Sequence, residues 1–205
     1  MVRLFPKSVI LVGGLLLFAT ILLMTVPLLG VVASSLTAGT FLSFPPQGLS
    51  LRWYVEAINS PAYLSAAWTS FWLALLVTLA AVTVGGAAAI AIHRTRGAAH
   101  VTMSALLMSP LVLPTIVLGI GLLIVFSRYF GGPSLTGLWV GHTILTVPYV
   151  IRTTLAVLAD ADPKIEEAAR MMGAGPWMAL WTVTLPQARV GLVAGGFFAF
   201  NISFD

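Results

Sequence analysis

Residues 57–93 read AINSPAYLSAAWTSFWLALLVTLAAVTVGGAAAIAIH, from just after Glu56 to just before Arg94, without one charged side chain. Spanning a bilayer takes roughly 20 apolar residues, so this stretch alone is long enough to cross. The pattern recurs outward from it. No Asp, Glu, Lys or Arg falls between Lys7 and Arg52, from Gly97 to Ser127, from Tyr129 to Ile151, or from Val190 to Phe204. The 205 residues are 59% hydrophobic and 8% charged, where a soluble domain carries about a quarter charged residues. Water is therefore not the main solvent, and a soluble globule is excluded. The expected fold class is all-α, a polytopic transmembrane helical bundle.

The expected spans are Val9 to Ser34, Ala62 to Ile92, Val101 to Phe126, Leu135 to Leu158, and a fifth beginning at Val190. Pro110 and Pro114 interrupt the third, breaking backbone hydrogen bonds that neighbouring helices or water must replace. Pro148 lies inside the fourth. The fifth run stops about 15 residues in, at roughly 1.5 Å per residue, short of a core about 30 Å thick. It reads as an incomplete span, with a sixth expected beyond it. The first apolar run is roughly twice the 7–15 residues of a signal peptide, which favours a retained span over a cleaved leader. Between the first two spans, Ser50 to Ile58 has the pattern of a short amphipathic helix. Ser50 is placed to cap it, and Trp53 and Tyr54 suit the membrane interface.

Cysteine is absent, which removes disulfides, thiol nucleophiles and cysteine-based metal sites. The formal charge is +4, but the basic residues sit in the loops, where they set topology rather than bind nucleic acid. With the N-terminus inside the cell, Arg3, Lys7, Arg94, Arg96, Lys164, Arg170 and Arg189 all fall inside, and Arg152 lies near that face. Only Arg52 and Arg128 then fall outside. This orientation makes the polar loop, residues 160–189, cytoplasmic.

That loop reads as two short amphipathic helices. Asp162-Pro163 is a helix start, a capping carboxylate followed by Pro at the first helical position. Glu166 and Glu167 fall in or near the first turn, where the helix dipole favours negative charge. Ile165, Ala168, Ala169 and Met172 recur with helical spacing and make one apolar face. Gly173 falls where a helix ends, and Gly175-Pro176 restarts one. Trp177, Leu180, Trp181 and Thr184 repeat the spacing, and Leu185-Pro186 is expected to end the second helix. One face can pack under the spans while the other meets a partner. An amphipathic loop can equally lie on lipid headgroups, and amphipathicity by itself leaves both readings open.

Glu167-Ala168-Ala169, Gly173, Val183 and Leu185-Pro186 decide between them, because their order and spacing resemble the EAA loop of binding-protein-dependent ABC importer permeases. Every motif position but one matches outright, and Val183 stands in for the usual Ile. The resemblance implies a single transmembrane permease domain over residues 1–205 in a bacterial inner membrane, with 160–189 as its cytoplasmic ATPase-coupling loop. Glu166, Glu167, Ala168, Ala169, Gly173, Val183, Leu185 and Pro186 would carry that coupling. The partners implied are a dimer of ATP-binding subunits, a second and related permease subunit, an extracytoplasmic substrate-binding protein and membrane lipid, with no nucleic acid. No G-x-x-x-x-G-K-[ST] occurs in the chain, so it has no phosphate-cradling loop. No cofactor is expected on this chain, no metal site and no catalytic residue. ATP–Mg belongs on the partner.

Phe44-Pro45, Ser50-Leu51-Arg52-Trp53-Tyr54, Leu113-Pro114 with Leu118-Gly119, and Ser203-Phe204-Asp205 are similar to the spermidine/putrescine branch of that family. Ferric-iron, thiamine and phosphonate importers share such segments and stay as alternatives. An ion-coupled secondary transporter and a membrane scaffold are more distant ones. The first has little support: no internal repeat is visible, and the first four spans hold no acidic residue. Asp205 is the one acid inside an apolar run, and with Pro114 and Gly119 it is a candidate for the substrate pathway. Pro110, Pro114 and Gly119 mark either a moving segment or a static kink. His142 is expected to pack or hydrogen-bond within the bundle, and His93 lies at a helix end too far away to share a metal with it. The Gly137/Gly141 and Gly191/Gly195 spacings permit close helix packing.

Overall fold

The structure is a computed structural model that describes residues 6–41 and 43–205. Arg3 and the side chain of Lys7, two of the residues used to orient the chain, lie outside what is described. The described elements are α1 (Lys7–Ser35), α2 (Arg52–Asn59), α3 (Pro61–Arg94), α4 (Ala98–Met108), α5 (Thr115–Tyr129), α6 (Leu135–Ala159), α7 (Pro163–Met171), α8 (Pro176–Ala179) and α9 (Leu185–Phe204). A 3-10 turn, Ser109–Leu111, follows α4, and a π-helical turn, Leu180–Thr184, joins α8 to α9. Among the described residues four helical stretches are long and apolar enough to cross a membrane: 8–35, 61–94, 135–159 and 176–204. The chain divides into two compact units, residues 1–66 and 67–205.

In the first unit α1 is apolar on every side, as expected of a helix whose solvent is lipid. The loop after it folds back on itself. Ser50 N–H donates to the Leu36 carbonyl at 2.7 Å, and the buried Thr37 hydroxyl accepts from Gln47 N–H at 3.1 Å. The amphipathic α2 begins one residue later than a Ser50 cap implies. Leu51 takes the cap position, and the Ser50 hydroxyl accepts from Arg52 N–H at 3.1 Å. Ser50 still satisfies a first-turn donor, but from one residue further out. The Arg52 guanidinium sits 4.5 Å over the Trp53 ring, and Tyr54 and Ser35 share a hydroxyl contact of 2.6 Å.

In the second unit the largest interhelical interface is α6 against α9. Lipid tails are as apolar as Leu, so helices in a membrane gain little from hydrophobic burial and rely on close packing instead. Glycine provides that closeness here. A Cβ at Gly191 would lie 2.7 Å from the Thr153 carbonyl oxygen, and one at Gly195 2.7 Å from Val150 Cα. The same Val150 is approached from α3, where a Cβ at Gly85 would lie 2.9 Å from Val150 Cβ. The Thr153 hydroxyl adds a cross-helix bond to the Gly191 carbonyl at 2.9 Å. Val77, Ala81, Ala89, Ile92, Val150, Ile151 and Leu158 are fully or almost fully buried and form the centre.

Two expectations change. The third span is two helices, α4 and α5, meeting at 93° across the Ser109–Pro114 break. Pro110 enters the 3-10 turn and Pro114 caps α5, so the two prolines lie on either side of a sharp corner rather than within a bent rod. The second loop helix does not end at Leu185-Pro186, nor does a new span start at Val190. Residues 176–204 form one continuous helical stretch. Pro186 has no N–H to give, and its ring crowds the carbonyl four residues back. The π turn just before it, with its wider i→i+5 bonding, accommodates both effects without a break. Leu185 stays helical at φ −65°, ψ −43° despite preceding a proline.

Candidate functional site

Local sequence builds α7 as a self-capped unit. The Asp162 carboxylate accepts from Lys164 N–H at 2.9 Å, and Pro163 fills the first helical position. The far end closes at Gly173, whose φ of +91° is in the left-handed region. Gly173 N–H donates to the Arg170 carbonyl and Ala174 N–H to the Ala169 carbonyl, both at 3.0 Å. These two bonds are the Schellman pattern, in which glycine at that position avoids a Cβ clash. Apart from Gly173 and its two chain neighbours, no atom lies within 4 Å of where a Gly173 Cβ would sit, so the demand for glycine is one of backbone conformation alone.

Glu166 is the hub of the site. Arg94, at the end of α3, donates to its Oε1 at 3.1 Å and to its Oε2 at 3.2 Å. Arg170, one turn along α7, donates to Oε1 at 2.8 Å, the Glu-before-Arg order that suits the helix dipole. The Thr184 hydroxyl donates to Oε2 at 3.0 Å and accepts from Arg94 Nη2 at 3.1 Å. Arg94, Glu166 and Thr184 thus close a ring that joins α3, α7 and the last residue of the π turn. Burial acts to raise the Glu166 carboxyl. Hydrogen bonds from Thr184 and Arg170, with the charge and hydrogen bond of Arg94, outweigh it and hold the group below its ordinary value of 4.5. The ring borders a cavity of about 340 Å³ that also touches His93, Arg96, Asp162, Glu167 and Gln187.

This pairing decides which face of α7 meets the bundle, a choice the sequence reading left open. Glu166 and Ala169 are half-buried and face the bundle, while Ile165 is 51% and Met172 84% exposed. Ile165, Ala168 and Met172 of the apolar face therefore point outward, while Ala169 turns in beside Glu166, whose carboxylate meets Arg94 and Thr184. Glu167 and Ala168 are exposed beside that face, and among the described residues no ion pair forms at Glu167. In the second helix the spaced face is split between solvent and bundle. Trp177 and Trp181 are exposed, whereas Ala179, Thr184 and Ala188 are buried. Thr184 lies five positions after Ala179 because the π turn adds one, and a regular helix would turn Val183 inward instead. Val183 and Leu185 are half-buried and Pro186 is exposed.

The pathway candidates are not brought to one point. Pro114 caps α5 and is exposed, and Asp205 is exposed at the end of α9. Gly119 lines an apolar cavity of about 220 Å³ between α5 and α6, together with Gly137, Gly141 and His142. His142 Nδ1 lies 3.0 Å from the Ser203 hydroxyl, a hydrogen bond between α6 and α9. His93 is exposed at the end of α3. Sequence reasoning missed Arg94 and Thr184. In the sequence Arg94 reads only as a topology signal and Thr184 only as part of a helical spacing, and the single available cue is a basic residue ending one long span.

Residues 84–205 match the family described as binding-protein-dependent transport system inner membrane component. The chain is 31% identical over 167 residues to the putrescine transport system permease protein PotI of Escherichia coli K12, covering 77% of this chain and 59% of that protein. It is 31% identical over 159 residues to the spermidine/putrescine transport system permease protein PotC of Haemophilus influenzae, covering 78% of this chain and 62% of the relative. To PotC of Escherichia coli K12 it is 27% identical over 180 residues, covering 88% of this chain and 68% of the relative. The chain thus spans about three fifths of the length of the first two relatives.

Proposed function

The chain belongs to the family of binding-protein-dependent transport system inner membrane components, and on that premise we propose that it is the permease subunit of an ATP-driven importer of polyamines. The substrate class rests on its relatives, which are transport system permease proteins for putrescine or for spermidine and putrescine. Its N-terminus is cytoplasmic, in keeping with the distribution of Lys and Arg among the loops. A second permease subunit and an extracytoplasmic binding protein complete the pathway. ATP–Mg is bound and hydrolysed on a separate pair of ATPase subunits.

One observation supports the coupling role most directly: the outward face of α7. Ile165, Met171 and Met172 are exposed next to Glu167 on a helix whose opposite face is bonded to the bundle through Glu166. Exposed methionine on a fixed polar helix suits a soluble protein partner, since Met adapts its shape to the surface it meets. An ATPase cleft that takes this helix would pass its own closure into α3 and α9. Gly119 on the α5–α6 cavity, with Pro114 and Asp205, remains the proposed pathway set.

The test is ATP hydrolysis by the full-length reconstituted complex with its binding protein, across polyamines, ferric iron, thiamine and phosphonates. Stimulation by putrescine or spermidine is the expected result. A bound ATPase stimulated only by another class would keep the importer and remove the polyamine. Absence of any bound ATPase would defeat the coupling role itself.

A further inference from the structure

The loop that meets the ATPase must also move the spans, and the ring of Arg94, Glu166 and Thr184 is where it is fastened to them. Resting on the ATPase-coupling reading above, we propose that this ring is the joint that transmits movement of α7 to α3 and α9 together. Glu166 and Thr184 are its positioning residues, while Glu167 belongs to the partner surface.

Three observations carry this. First, the ring reaches three elements at once, with each pair bonded directly: Arg94 to Glu166 at 3.1 and 3.2 Å, Arg94 to Thr184 at 3.1 Å, and Thr184 to Glu166 at 3.0 Å. A pull on α7 cannot act on one span without the other. Second, the Thr184 hydroxyl is in place because of the π turn. Thr184 is 3% exposed, and the extra residue in that turn sets it inward where Val183 would otherwise stand. Such turns are rare inside α-helices and occur frequently at functional sites. Third, the two neighbouring carboxylates have different surroundings. Glu166 is bonded by three residues, whereas Glu167 is exposed. The arrangement divides the pair into an inner fastening and an outer contact.

The experiment uses the full-length complex in proteoliposomes, with Thr184→Val as the main variant. Valine keeps the shape and removes both hydroxyl bonds. ATPase co-purification and basal hydrolysis should match wild type, while substrate transported per ATP hydrolysed falls at least about fivefold, the low end of ordinary coupling between sites. Thr184→Ser, which restores the hydroxyl, should recover wild-type coupling, as a purely structural packing role would not require. Arg94→Gln is the second variant if Thr184→Val fails to assemble, and the same fall in coupling is expected. Unchanged transport per ATP in an assembled variant overturns the proposal. So does loss of the ATPase from the complex, since the ring would then shape the docking surface rather than transmit through it. A wild-type complex that binds no ATPase would remove the coupling reading and this proposal together, whereas the first two outcomes remove only the joint.

Discussion

Gly173 and Glu166 show what single residues do here. At φ +91° any L-residue with a Cβ is strained, at a cost of roughly 1–2 kcal/mol. Gly173→Asp adds a charge to that strain in the turn between the loop helices. It should reduce ATPase co-purification severalfold, and normal recovery of the ATPase would count against the loop's coupling role. Glu166 offers a pH test. Its folded-state value lies below its ordinary 4.5, so the ionised form is favoured by folding. The stabilisation is therefore complete above about 4.5 and is lost as pH falls through the lower, folded value. Thermal melts of the detergent-solubilised protein should show a drop in that acid window, and Glu166→Gln should flatten it. The pair with Arg94 is partly exposed, with side chains 35% and 24% accessible. Each ion pair there is worth at most about 1 kcal/mol, so the effect should be small and should shrink with salt.

At the scale of elements, the junction of α8, the π turn and α9 is the feature with most consequence. A proline in mid-helix normally breaks or kinks it at about 3 kcal/mol. Here the π turn absorbs the proline and the helix continues. Pro186→Ala restores the N–H and removes the ring, so the turn is free to revert to regular α-helix. We expect stronger hydrogen-exchange protection across residues 180–186, together with weaker bonding of Thr184 into the ring as Val183 rotates inward. Unchanged exchange would mean that the π turn is held by tertiary packing rather than by Pro186. The corner between α4 and α5 has a simpler cause. Two prolines four residues apart leave no stretch in which regular helical bonding can resume before Thr115.

For the whole molecule, the balance rests on van der Waals contact at the glycine-lined faces of α6. Gly195→Leu places a branched side chain where even a Cβ would be 2.7 Å from Val150 Cα. Backbone cannot yield as a side chain can, so the loss should reach about 3 kcal/mol, the upper end for overpacking. Gly13→Leu on α1 is the control, because nothing beyond its own stretch of helix lies within 4 Å of its Cβ position. Melting temperatures in one detergent should separate the two clearly. Equal melting temperatures would show that α6 and α9 do not depend on this contact.

The uncharged runs determined the class of fold by themselves, because lipid admits only segments whose length and apolarity match its thickness. Asp162-Pro163 and Gly173 were equally legible, since caps and left-handed glycines follow from local backbone chemistry. The order of Glu167-Ala168-Ala169, Gly173, Val183 and Leu185-Pro186 pointed to the family to which the chain proved to belong. The tertiary structure alone decided which way α7 faces, that Leu185-Pro186 continues a helix, and that α4 and α5 meet at a corner. Each turns on a partner distant in sequence or on a compensation between neighbouring turns. Glu166 finds Arg94 across 72 positions and Thr184 across 18, and no local periodicity encodes a bond between residues that only folding brings together.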